Sequence, residues 1–119
     1  MDETTQAALN NDRIIDITTI GRKSGQPRRI EIWFHNLNGR IFITGLPGRR
    51  NWYANMLANP EITFHLKETI QADLAAKVIP ITAAGPKREV LSGIVKKLDR
   101  GDDLEKWVAE SPLVEVTFI

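Results

Sequence analysis

Four cations fall within eight residues in the segment Thr18–Arg29, TTIGRKSGQPRR: Arg22, Lys23, Arg28 and Arg29, set among Gly21, Ser24 and Gly25. Arginine presents paired N–H donors that match two oxygens of a phosphate, and lysine adds a compact point charge. Backbone amides freed at a glycine-rich turn can form an anion-binding nest. The same residues equally suit a solvated hairpin turn, so composition alone leaves both readings open. A second basic pair, Arg49 and Arg50, ends the loop Gly45–Arg50 (GLPGRR) and precedes Trp52 and Tyr53. Those rings can pack against a planar ligand, although core packing at a helix start is the plainer use of Trp52.

The 119-residue chain has a net charge of +1, which hides a strong asymmetry. Residues 21–50 carry +6 and the remaining 89 carry −5. Such a patch points to an anionic ligand. Nucleic acid is disfavoured, because the cations cluster at loop ends and only Trp33 shares a strand face with Arg29.

Other chemistries are closed off by what is missing. There is no cysteine, hence no disulfide, thiolate nucleophile or Cys-ligated metal. His35 and His65 each stand alone on the polar side of a strand, which suits solvated or hydrogen-bonded histidines better than metal ligands. No nucleophile elbow, Walker loop or GxGxxG occurs, no catalytic side chain stands out, and no metal site is expected. If the protein is an enzyme, a cofactor carries the reaction. No apolar run approaches the roughly 20 residues of a transmembrane helix. The opening MDETTQAALNND is the reverse of a secretory leader, so a soluble cytoplasmic protein is expected.

The elements that must position these residues read mainly as strands. Residues 1–13 form a short polar N-terminal segment, and 14–119 a single domain. Ile14–Ile20 is β-branched and ends at Gly21, a strand leading into the basic turn. Arg29–His35 alternates, with Ile30, Ile32 and Phe34 on one face, and Asn36–Gly39 turns it back into Arg40–Thr44. Asn51 is placed to cap a short helix that Asn59-Pro60 stops. Glu61–Leu66 and Ile70–Ile79 are further strands. Gly85-Pro86 opens a helix with an apolar stripe of Val90, Leu91, Ile94, Val95 and Leu98, ended by Gly101. A turn over Leu104–Ala109, anchored by Trp107, and a last strand, Leu113–Phe118, complete the chain. The expected fold is mainly β (α+β): a six-stranded antiparallel barrel with two or three short helices.

At TTIGRKSGQPRR and WYANMLANPEITFHL the sequence resembles the deazaflavin-dependent nitroreductase family, small split β-barrel proteins akin to flavin-reductase-like FMN binders. The two motifs are specific together, and the resemblance spans about residues 14–82. It implies an oxidoreductase that uses the deazaflavin coenzyme F-420, with FMN as the alternative cofactor. The reaction implied is hydride transfer to a small electron-poor substrate such as a quinone or enone. A non-catalytic carrier of a flavin-like anion is the competing role, and a homodimer is compatible with the resemblance. By position, Lys23 and Arg28 match the cations that hold the anionic phosphate and tail, with Arg22 and Ser24 in the same turn. Thr44, Gly45, Pro47 and Gly48 match the loop beside the deazaflavin, and Trp52 and Tyr53 the helix start that closes over it. GLPGRR lacks the lysine and Gly-Gly pair common at that loop, so Arg49 or Arg50 is expected to supply the cation. The family's C-terminal tyrosines are also missing, since Tyr53 is the only tyrosine.

Overall fold

Strict alternation of β-branched residues makes the first strand, β1 (Ile14–Ile20), two-faced: Ile15, Ile17 and Thr19 are buried, while Ile14, Asp16, Thr18 and Ile20 are half-exposed on the other side. In this computed structural model residues 1–99 and 103–119 are described. Six further strands follow among them: β2 (Pro27–Trp33), β3 (His35–Leu37), β4 (Arg40–Thr44), β5 (Glu61–Leu66), β6 (Ala72–Pro80) and β7 (Leu113–Phe118). They form one antiparallel sheet in the order β2-β1-β5-β6-β7-β4-β3. Its two edge strands are consecutive in sequence and separated by Phe34 alone. The sheet must therefore curl until its edges meet at Phe34, which makes a half-barrel. There the Phe34 N–H donates to the Arg13 carbonyl at 2.9 Å, and its ring meets Phe64 edge-on with centroids 5.2 Å apart.

The count is seven strands, against the six expected, because Arg29–His35 is not one strand. Alternation holds through Ile32, then Phe34 steps out of the ladder and both Phe34 and His35 are buried. The antiparallel partner of β2 is β1, with Ile20 opposite Pro27 and Thr19 opposite Arg28. As an edge strand β2 stays exposed at every position except Ile32, so it is less buried than its alternation suggests. β3 and β4 form the hairpin, turned at Asn38 (φ 54) and Gly39 (φ 88), the left-handed pair that matches strand twist.

Four helices are described, against two or three expected. α1 (Glu3–Asn11) replaces the plain polar segment: Asp2 caps it by accepting from the Thr5 N–H at 2.7 Å, and Ala8 and Leu9 enter the barrel core. Its buried stripe is narrow, so composition hides it. α2 (Asn51–Ala58) adds Trp52 and Met56 to the same core of Ile15, Ile17, Ile43, Phe64 and Val114. α3 (Ala84–Lys97) and α4 (Leu104–Glu110) cover the outer face of β4, where Phe42 meets Val90, Leu91, Ile94, Val95 and Trp107. The apolar stripe and the Trp107 anchor are therefore as expected. Gly101, the expected helix stop, lies outside the described residues. No helix among the described residues is long and apolar enough to cross a membrane.

Candidate functional site

Where β1 ends, the chain folds into a tight turn. The Gly21 N–H donates to the Gln26 carbonyl at 2.8 Å, that of Gly25 to the Gly21 carbonyl at 2.9 Å, and that of Gln26 to Ser24 Oγ at 3.2 Å. A Cβ on Gly21 would sit 2.5 Å from Ser24 Oγ and 3.3 Å from the Gln26 carbonyl oxygen, so any larger residue there would have to displace the serine hydroxyl. The turn docks on α2 through Asn55, whose Oδ1 accepts from both the Arg22 backbone N–H (3.1 Å) and Arg22 Nη1 (3.0 Å). Asn55 Nδ2 donates to Thr19 Oγ1 at 3.3 Å, and Arg22 Nη2 donates to Asn51 Oδ1 at 3.4 Å. Asn51 is therefore not the expected cap. Arg50 holds the cap position without a side-chain bond, Asn51 is the first helical residue, and its amide oxygen is turned to Arg22.

Between turn, β2 and α2 lies a groove of about 550 Å³ lined by Thr19, Gly21, Arg22, Lys23, Ser24, Arg28, Ile30, Asn51, Trp52 and Asn55. Five of the twelve expected residues thus meet in one concavity: Arg22, Lys23, Ser24, Arg28 and Trp52. Trp52 packs in the core, 8% exposed, and also lines the groove wall.

Pairing separates the basic residues. Arg29 bonds Asp16 at 3.0 Å and Arg40 bonds Glu115 at 2.8 Å. Among the described residues, Arg22, Lys23, Arg28, Arg49 and Arg50 have no carboxylate within ion-pair distance. Three of those five line the groove and give it a positive lining.

The loop after β4 behaves differently. Thr44 is buried, its hydroxyl donating to the Pro112 carbonyl at 2.6 Å. Gly45 runs beside the indole, since a Cβ there would stand 3.8 Å from Trp52 Cζ2. Pro47 and Gly48 line a second depression of about 600 Å³ with Leu46, Lys106, Trp107 and Glu110, not the first groove. Arg50 folds back on its own loop, donating to the Leu46 and Arg49 carbonyls at 2.9 Å each, while Arg49 is exposed. Of the two cations expected to serve the site, the loop itself thus engages one. Tyr53 packs edge-on against Trp52, centroids 6.0 Å apart, and burial raises its phenol pKa.

Thr19, Asn51 and Asn55 were not anticipated. Asn55 left a signal: it is polar between Trp52 and Met56 on a face that otherwise enters the core.

Both histidines are buried, not solvated. His65 is hydrogen-bonded: its Nε2 lies 2.7 Å from Thr18 Oγ1 and its Nδ1 lies 2.7 Å from Asp73 Oδ1, a contact that lowers the Asp73 pKa. This hydroxyl–imidazole–carboxylate order has the form of a nucleophile, base and orienter. Thr18, however, is ladder-paired on both sides, to Arg29 and to Thr63, so the strand has no free backbone N–H there for an oxyanion. His35 is held neutral, its pKa lowered to about 4 by burial first, then by the charges of Lys97 and Arg13.

A family model described as F420H(2)-dependent quinone reductase matches residues 2–113. Among solved structures, an F420-H2 dependent reductase is 18% identical with TM-score 0.65, covering 89% of this chain and 95% of its own. An F420 reductase is 17% identical with TM-score 0.66, covering 100% and 96%. A putative pyridoxamine 5′-phosphate oxidase from Listeria innocua is 11% identical with TM-score 0.71, covering 96% and 90%. At such identities these likenesses show a shared fold.

Proposed function

This chain belongs to the F420H(2)-dependent quinone reductase family, and on that premise we propose that its basic groove holds the phosphate and tail of coenzyme F-420. The protein is accordingly a deazaflavin-dependent oxidoreductase, as the two sequence motifs implied. When bound, the reduced deazaflavin supplies a hydride for an electron-poor acceptor such as a quinone or enone.

The residues present fit that group. A groove of about 550 Å³ is in the range of small-molecule sites, and its cations are not neutralised by carboxylates. Arg22, Lys23 and Arg28 oppose negative charge, and Ser24 offers its hydroxyl from the same turn. The indole of Trp52 walls the groove and keeps water from that side. In this reading Thr44, Gly45, Pro47 and Gly48 carry the loop beside the ring system, with Tyr53 supporting Trp52. Arg49 is the loop's free cation, because Arg50 is engaged with carbonyls at Leu46 and Arg49.

The observation that carries the proposal is the convergence of Arg22, Lys23 and Arg28, without carboxylate partners, on one groove. Fluorescence titration of F-420 tests it. Lys23→Ala and Arg28→Ala should each weaken binding by about 1–3 kcal/mol, the cost of losing a charge-assisted hydrogen bond. Unchanged affinity in both variants would overturn the assignment.

A further inference from the structure

We propose that Asn55 is a positioning residue that fixes the basic turn to α2 through neutral contacts, so that Arg22 enters the groove with its charge uncompensated. The inference rests on the reading of this groove as the coenzyme site and adds to it the residue that sets its charge.

Asn55 is 5% exposed, on the face of α2 that also buries Trp52 and Met56. A polar side chain in such a place is costly unless its hydrogen bonds are made. Here the carbonyl oxygen accepts from two N–H groups of Arg22, backbone and guanidinium, and the amide nitrogen donates to Thr19 Oγ1. The two Arg22 donors set the amide's direction, because a flipped amide would point its own N–H groups at them, while the Thr19 hydroxyl accepts from the nitrogen so oriented. The backbone contact also fixes where Lys23 and Ser24, the next two residues of the turn, start relative to α2.

The choice of an amide is the informative part. A guanidinium beside a helix is most strongly held by a carboxylate, and an aspartate would occupy the same volume. That partner would cancel the positive charge which the groove presents to an anion. Asn55, assisted by Asn51, orients Arg22 without cancelling it.

The test compares Asn55→Asp and Asn55→Ala in the full chain, reading thermal midpoint and the Kd for F-420 at low and high salt. Asn55→Asp should keep or raise the midpoint, since Arg22 gains an ion pair and the Thr19 hydroxyl can donate to the new carboxylate. Its affinity at low salt should nevertheless fall roughly 3- to 10-fold, with a shallower salt dependence. Asn55→Ala should lose both midpoint and affinity. Arg22→Gln, which removes the charge by another route, should reproduce the affinity loss and keeps the test decisive if the aspartate variant fails to fold. Wild-type affinity in Asn55→Asp or, failing its folding, in Arg22→Gln overturns the inference. If Lys23→Ala and Arg28→Ala also bind normally, the reading of the groove fails with it; if those two weaken binding, only the role of Asn55 fails.

Discussion

Arg28 and Arg29 are adjacent in β2 and end in opposite circumstances. Arg29 lies on the outer face of the β1–β2 ribbon, bonded to Asp16, whose second oxygen takes Lys67 at 2.7 Å, and Lys67 in turn bonds Glu31. Arg28 lies opposite Thr19 on the inner face, where β1 offers Ile15, Ile17 and Thr19 and no carboxylate. Outer positive charge is matched and serves the sheet. Inner positive charge is left to the groove. The pleat sends consecutive residues to opposite faces, so one register decides which arginine stabilises and which can meet a ligand.

The histidines extend this contrast between paired and unpaired charge, and they carry the largest expected effect. His65 has Asp73 beside it, whereas His35 is buried near Lys97 and Arg13 with no carboxylate in ion-pair reach among the described residues. Because the folded pKa of His35 is lowered to about 4, the unfolded chain binds that proton more readily than the folded one. Its contribution is intact above pH 6.5, is lost progressively as pH falls from 6.5 to about 4, and changes no further below that. The loss approaches about 3 kcal/mol. Denaturant unfolding across that range should show it, and His35→Gln should flatten the slope; an equal slope in the variant would refute the assignment.

Charge reversal breaks the arginine comparison directly. Arg28→Glu should weaken F-420 binding by about 2 kcal/mol or more while leaving stability nearly unchanged. Arg29→Glu should do the opposite, costing about 1 kcal/mol of stability by crowding a third acid around Lys67, with affinity within roughly twofold of wild type. Similar affinities in the two variants would mean that the faces are not functionally distinct.

The smallest effect concerns salt. F-420 should bind more tightly than its tail-less deazaflavin, each exposed contact adding about 0.2–1 kcal/mol, and added salt should shrink the difference. Equal affinities at low salt would show that the inner cations do not meet the tail.

Much of this was legible before folding. Alternation in Ile14–Ile20 assigned faces correctly, the stripe Val90–Val95 located a core helix, and the basic segment with its two motifs led to the right cofactor class. Legibility stopped at the edge strand. Ile30, Ile32 and Phe34 look like one buried face, but on the edge strand Ile30 is exposed beside the groove and Ile32 only half-buried, while Phe34, just outside β2, is fully buried. Pro47, Gly48 and Arg50 follow the motif by position, yet the loop turns the first two to another depression and the third onto its own carbonyls.

By itself the sequence determined the periodicities, the segregation of +6 into 30 residues and the glycine turn that gathers four cations. Only the tertiary structure decided which cations face a carboxylate. Arg40 is cancelled by Glu115, 75 positions away, and Arg22 is held by Asn55, 33 positions away, through a neutral oxygen. Local patterns encode the face a side chain takes, because that follows from backbone geometry. What stands across from it follows from strand order and register, and these exist only once the sheet has curled and closed at Phe34.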